Sequence, residues 1–367
     1  MLYHLLYPLA KYSIVFNVFR YVTFRSIGAF ITSLIISLLV GPAFIKMLKK
    51  RSAVETIDED LPERHRLKQG TPTMGGIIIL VSLLISSLLW NVLTNPVILM
   101  MYLTTVWLGI LGFLDDYLKN FVKAKKGLLP RYKLLGQLSV GLILTLAIYY
   151  SSSVSTNITA LQIPFFKNLI IPLSWFFIPF AVLFITGTSN AVNLTDGLDG
   201  LAAGTLTFSF LGLGVMSYLK GNFIVADYLN LEFIVNAGEL TVFISAVIGT
   251  LIGFLWFNSY PAQVFMGDTG SLTLGGIAAV ISILLKEEIF FIILGFIFVY
   301  EALSVIMQRT WFKYTKKKYG QGRRIFLCAP VHHHYELKGM HESKIVMRFY
   351  IVAALLTAIA LSTIKLR

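Results

Sequence analysis

Three acidic spots lie beside strongly apolar stretches of this chain: Asp115-Asp116, the run NLTDGLDG at 193–200 with Asp196 and Asp199, and Asp268 in FMGDTGS at 265–271. A carboxylate beside a bilayer is costly and rarely sits there without a task. Carboxylates at helix ends suit a hard cation, and Mg²⁺ prefers one or two of them together with phosphate oxygens. Gly197, Gly200, Gly267 and Gly270 flank the acids and let backbone N–H groups approach an anion. Two apolar segments begin just after these loops, so their positive dipole ends would face a phosphate. Lysines and the triplet His332-His333-His334 offer compensating positive charge. The combination suits phosphoryl transfer, where catalysis is mostly positioning and charge neutralisation.

The positioning elements must be membrane helices. The 367 residues are 56% hydrophobic and 13% charged, about half the charge of an ordinary soluble domain, and mean hydropathy is +0.77. The expected class is an all-α integral membrane protein, one polytopic domain over residues 1–367, with cytoplasmic catalytic loops. Ten apolar runs fall near 24–48, 74–92, 96–114, 132–150, 173–188, 200–219, 239–257, 270–285, 289–312 and 345–364, each near the ~20 residues that a span requires. Residues 2–20 are apolar but interrupted by Lys11, Asn17 and Arg20, which reads as an interfacial helix. No small-residue cleavage site follows that stretch, so no removable signal peptide is expected. The single cysteine, Cys328, excludes an intrachain disulfide. No repeat or separate soluble domain is evident.

Charge orients the bundle. Segments 46–73, 117–133 and 309–348 hold 23 of the 31 Lys and Arg residues. The positive-inside rule makes these segments cytoplasmic and, with ten spans, places both termini outside. Lys11, Arg20, Arg25, Lys365 and Arg367 on the outer side run against the rule. Parity then puts TPTMGG (71–76), Asp115-Asp116, the loop at 189–199, the loop at 258–271 and the histidine triplet on the same cytoplasmic face. A net charge of +13 fits an anionic substrate and anionic headgroups; nucleic acid is not expected as a partner.

Each feature also has a plainer reading. Asp115-Asp116 could be a solvated helix end, and the NLTDGLDG run and Asp268 could be helix caps. Consecutive histidines converge poorly on a metal, so phosphate contact is the better assignment for 332–334. Lys316-Lys317-Lys318 reads as headgroup attraction. An ion-coupled transporter would carry its acids near mid-span, often with paired broken helices, whereas here they fall at span ends. A prenyltransferase would need further aspartates beside Asp115-Asp116.

At this point the chain resembles a known family. TPTMGG at 71–76, GFLDDYLK at 112–119, NAVNLTDGLDGLA at 190–202, FLWFNSYPAQVFMGDTGSL at 254–272 and APVHHHYELKG at 329–339 resemble the polyprenyl-phosphate N-acetylhexosamine-1-phosphate transferase family. The histidine triplet together with TPTMGG resembles its muramoyl-specific branch rather than the N-acetylglucosamine branch. The resemblance runs over nearly the whole chain and is loose in 49–66, 151–172 and 217–237; the stretch 313–328 looks longer than usual.

The resemblance implies ten spans in the bacterial cytoplasmic membrane and a Mg²⁺-dependent reaction. UDP-N-acetylmuramoyl-pentapeptide would give its phospho-sugar to undecaprenyl phosphate, making lipid I and UMP. By the same resemblance Asp115 and Asp116 match the catalytic pair, and Asp268 matches a catalytic, metal-binding aspartate. Lys68, Thr73, Asn190, Asn193, Asp196, Asp199, Asn258 and Gln308 match nucleotide- or phosphate-binding positions. Phe265 matches an aromatic that packs on uracil, and His332, His333 and His334 match the family's histidine motif. Which aspartate serves as base, whether transfer is direct or passes through a phospho-enzyme, and whether the protein forms a homodimer all stay open at this level.

Overall fold

The computed structural model describes residues 1–51, 70–122, 127–150, 158–163 and 170–366. Lys68, Lys125 and Asn157 lie outside the described residues.

Every apolar run is helical. In chain order the helices are α1 (Leu2–Leu6), α2 (Val22–Lys50), α3 (Gly76–Trp90), α4 (Pro96–Asn120), α5 (Pro130–Tyr149), α6 (Phe177–Thr195), α7 (Leu201–Lys220), α8 (Phe223–Tyr228), α9 (Ala237–Asn258), α10 (Gly267–Leu284), α11 (Glu288–Leu294), α12 (Phe296–Tyr319), α13 (Val331–Leu337) and α14 (Glu342–Ser362). The only sheet among the described residues is the antiparallel pair β1 (Ala160–Gln162) and β2 (Ile170–Pro172), with Leu161 opposite Ile171. Proline opens α4 and α5, where a missing N–H costs nothing. Asn95 caps α4 by accepting from Val97 N at 3.0 Å.

Four expectations change in detail. The run 289–312 is not one straight span: α11 and α12 meet at an 84° bend. The turn at Gly295 frees the Leu294 carbonyl, which accepts from Ser209 Oγ at 2.9 Å; a neighbouring helix thus satisfies the backbone that the bend exposes. The run 74–92 gives a helix of only 15 residues, because TMGG is spent on a turn at its start. The stretch 189–199 is helical through Thr195, so the loop proper begins at Asp196. Residues 2–20 fold as α1 followed by two 3-10 segments, Tyr7–Lys11 and Ile14–Arg20, with Pro8 in the first of them.

Helix α10 is the hub. It is buried over nearly its whole length and packs against α4, α6 and α3. Its Gly, Ala, Ser and Thr residues permit this, since membrane helices approach closely through small side chains. Helices α2, α3, α7 and α9 pack against one another beside it and carry most of the remaining core. A second, smaller cluster joins Leu198, Leu201, Ile297, Val331, Ile345 and Phe349, where α12, α13 and α14 meet the loop after α6.

Candidate active site

The site lies where α4, α6 and α10 present their ends to one another. Asp115 and Asp116 are on the last turns of α4, both buried. Adjacent positions on a helix face different ways, and the two acids have different partners. Asp116 points at the start of α10: Oδ1 accepts from Asp268 N at 3.0 Å, and Oδ2 accepts from Thr269 N at 2.9 Å and Thr269 Oγ1 at 2.6 Å. It thereby satisfies amides that a helix start leaves free. Gly267 makes the approach feasible: its φ is +74°, and a Cβ there would lie 2.7 Å from Asp116 Oδ2.

Asp115 faces Lys119 and Lys133. Its Oδ1 accepts from Leu128 N at 2.7 Å, and its Oδ2 lies 2.6 Å from Lys119 Nζ. Lys119 also reaches Asp268 Oδ2 at 3.1 Å, and Lys133 Nζ lies 2.6 Å from that same oxygen and 3.7 Å from Asp115 Oδ2. Two carboxylates from distant parts of the chain thus converge on two ammonium groups. Asn193 completes the wall: its Nδ2 donates to Asp268 Oδ1 at 2.7 Å and to Ser271 Oγ at 2.8 Å. Asp268 itself is in the first turn of α10, at the positive end of the helix.

The remaining residues frame this cluster. Asn190 donates to Gln137 Oε1 at 2.9 Å, bracing α6 against α5. The loop after α6 is held from several directions. Asp199 N donates to Glu342 Oε1 at 2.6 Å, and Asp199 Oδ2 accepts from Ala262 N at 2.9 Å. Asn258 Oδ1 accepts from Gly200 N at 3.1 Å while its Nδ2 donates to Val264 O. Tyr350 Oη donates to Gly200 O at 2.7 Å. Asp196 caps α6 on the same loop. The TPTMGG turn lines up beside Phe265: Phe265 N donates to Pro72 O, and Gly75 N donates to Phe265 O. Thr73 is buried within that turn.

His332, His333 and His334 lie on α13, which docks against the loop after α6. They do not share a ligand point. His332 is buried beside Glu301, His333 Nδ1 pairs with Glu336 Oε2 at 2.7 Å, and His334 Nδ1 accepts from Leu327 N at 3.1 Å. Burial and the Lys338 charge hold the His334 imidazole below its usual range, in keeping with that acceptor role. Gln308 grips its own neighbourhood: Oε1 accepts from Ile325 N and Phe326 N, and Nε2 donates to Phe326 O. Of the expected set, then, Asp115, Asp116, Asp268 and Asn193 form one cluster. The other described ones hold neighbouring loops and helices.

Sequence reading missed Lys119, Lys133, Thr269, Glu342 and Tyr350 as site-building residues. Lys119 had a signal, an Asp and a Lys four apart on one helical face. Lys133 had none, being 135 residues from its partner Asp268.

Among the described residues no three His, Cys, Asp or Glu side chains form a ready metal cage. Asp115 and Asp268 nonetheless fit Mg²⁺, which needs only one or two carboxylates when phosphate supplies other oxygens. Their oxygens already converge on cationic groups.

A bundle of long apolar helices that gathers acids, lysines and an asparagine at one end defines a polytopic membrane protein with a polar site suited to an anionic phosphate ligand. A model described as "Glycosyl transferase family 4" matches residues 98–286, and one described as "Phospho-N-acetylmuramoyl-pentapeptide-transferase signature 1" matches residues 68–80. The phospho-N-acetylmuramoyl-pentapeptide-transferase of Pelodictyon phaeoclathratiforme is 49% identical over 351 residues, 96% of this chain and 95% of its own. The protein of the same name from Chlorobium phaeobacteroides (strain BS1) is 48% identical over 353 residues, with 96% and 95% covered. That from Flavobacterium psychrophilum is 46% identical and covers both chains completely. The chain belongs to the phospho-N-acetylmuramoyl-pentapeptide-transferase family.

Proposed function

We infer that this enzyme moves phospho-N-acetylmuramoyl-pentapeptide from its UDP-linked donor to undecaprenyl phosphate. The products are lipid I, a peptidoglycan precursor, and UMP. The observation that carries the mechanism is the convergence of Asp115 and Asp268 on Lys119 and Lys133 at the mouth of α10. The basic excess of segments 46–73, 117–133 and 309–348 supports placing this mouth at the cytoplasmic face of the bacterial inner membrane.

The two lysines are the natural hosts of a pyrophosphate. Lys119 is 43% exposed at its side chain and can exchange a carboxylate oxygen for a phosphate oxygen. Asp268, with Asp115, would hold Mg²⁺, whose charge offsets that of the pyrophosphate. An oxygen of the lipid phosphate attacks the sugar-linked phosphorus, the bond to the UMP phosphate breaks, and UMP departs. The second pKa of a phosphate monoester is about 6, so the nucleophile is already largely ionised at neutral pH. Asp115, open to the lysines, is the group that accepts or orients any remaining proton. Asp116 spends both oxygens on the start of α10 and keeps Asp268 in place. Asn193 orients Asp268 from the other side. On this reading Phe265, Asp196 and Asp199 would meet the nucleotide.

Release of UMP from purified protein tests this reading, with each substrate alone and together, with and without Mg²⁺. Release that needs donor, lipid acceptor and Mg²⁺ together is expected. Release without lipid, joined to a sugar-phosphate adduct in the intact-protein mass, would replace direct attack by a covalent route.

A further inference from the structure

Glu301 is a buried acid that the mechanism does not use. It lies on the second turn of α12, six residues beyond the Gly295 bend, and its side chain has no exposure. Neither carboxylate oxygen has a hydrogen-bond partner. A carboxyl group in such a place is costly without a partner. One cationic candidate is within reach: His332 Nδ1, 3.2 Å from Glu301 Oε2, in ion-pair range but not aligned as a hydrogen bond. His332 is equally buried. Tyr300 and Tyr335, whose hydroxyls are 3.5 Å apart, border the pair from α12 and α13.

The other edge of the His332 ring touches the loop that carries Asp196 and Asp199. A Cβ on Gly197 would lie within bonding-clash distance of His332 Nε2, so the imidazole rests against the bare Cα of that glycine. The loop is also restrained from α14 through Glu342 and Tyr350 and from the 258–264 turn through Asn258 and Ala262. Helix α12 reaches it through His332 and through Ile297, which shares an apolar cluster with Leu198. That helix continues past Gln308 into a surface arm with Arg309, Lys313, Lys316, Lys317, Lys318, Arg323 and Arg324, which contains no acidic residue.

We propose that Glu301 is a positioning residue: it fixes the proton on His332 Nδ1 and presses the ring against Gly197, so that the bent helix α12 sets the position of the Asp196–Asp199 loop. A small rotation of the ring aligns Nδ1–H with the carboxylate. Binding events on the basic arm can then reach the loop through two side chains. The proposal rests on the transferase reading for its kinetic consequence and on the Glu301–His332 geometry alone for its spectroscopic one.

Two measurements on the full chain in nanodiscs test it. The first is the ¹⁵N imidazole spectrum of His332, assigned by loss of its signal in His332→Asn. A protonated Nδ1 is expected in the wild type, and a changed Nδ1 shift in Glu301→Leu. An unprotonated Nδ1 in the wild type overturns the proposal without any variant. The second is steady-state kinetics. Glu301→Leu should lower kcat/KM for the nucleotide donor by roughly tenfold or more, within the ~10²-fold that a 1 Å misplacement costs. Glu301→Gln, which keeps an acceptor oxygen, should recover most of that loss. Equal loss in the two variants, or none, with an unchanged His332 spectrum, overturns it. If the wild type released no UMP, the transferase reading would fail while the spectrum still judged the Glu301–His332 pair.

Discussion

The two ends of the helical bundle use charge in opposite ways. At the end away from the site, two ion pairs are closed off from solvent. Arg25 and Glu239 form a bidentate pair at 2.5 and 2.8 Å, and Val92 N donates to the same carboxylate. Lys220 pairs with Glu287 at 2.7 Å and donates to Leu285 O, with both side chains buried. At the site end, two acids share two lysines, and one of those lysines, Lys119, is partly exposed. Sealed pairs hold helices in register; shared, half-open ones leave oxygens and ammonium groups that a ligand can claim. Arg25, one of the basic residues that run against the charge rule, is neutralised by its partner Glu239.

The largest effect should come from the open end. Asp268→Asn removes the carboxylate on which both lysines converge and should cut turnover by more than ~10³-fold, several kcal/mol of transition-state stabilisation. UMP release at saturating substrates measures it. Full turnover of this variant at ordinary Mg²⁺ would erase the distinction between the ends.

Next come the neighbours on α4, which ought to part company. Asp115→Asn should leave a slow but measurable enzyme, down ~10²–10⁴-fold as for a lost general base, with part of the rate regained at high pH as the lipid phosphate ionises fully. Asp116→Ala strips the start of α10 of its acceptor and should lower the melting temperature as well as activity. Thermal unfolding in detergent separates the two; identical melting curves for both variants would mean that Asp116 does not secure α10.

The sealed end should respond in stability alone. Glu239→Leu strands the buried Arg25 guanidinium, a change that typically costs about 3–5 kcal/mol. The melting temperature should fall, while the donor KM of the protein that remains folded stays near the wild-type value. A rise in KM equal to that of a site variant would show that the sealed pair communicates with the site.

The smallest effect is expected at the arm. Replacing Lys316, Lys317 and Lys318 together with Gln should change activity less than tenfold and weaken its dependence on anionic lipid, as about 1 kcal/mol per basic residue near a charged surface implies. Rates in vesicles with and without phosphatidylglycerol would report it.

Much of the architecture was legible residue by residue. Long apolar runs must become helices in a bilayer because no other local structure satisfies their backbone. The glycine-flanked acids Asp196, Asp199 and Asp268 stood out as candidate site residues. The interior of the ninth run was not legible: its composition reads as a span, and only packing against Ser209 shows where α11 stops. The roles of Asp115 and Asp116 were equally hidden. Neighbours in sequence look alike on paper, and the helix rotates one toward the start of α10 and the other toward the lysines.

By itself the sequence determined the class of protein, where its apolar helical runs lie and which loops collect positive charge. These follow from hydropathy, local backbone chemistry and net charge, which need no partner in space. The tertiary structure alone decided that Lys133 meets Asp268, that Asp116 serves α10 rather than the lysines, that Gln308 holds its own loop, and that Glu301 backs His332 against Gly197. Such pairings join positions far apart in the chain. Their formation depends on which helix faces meet, and that is set by the packing of the whole bundle around α10.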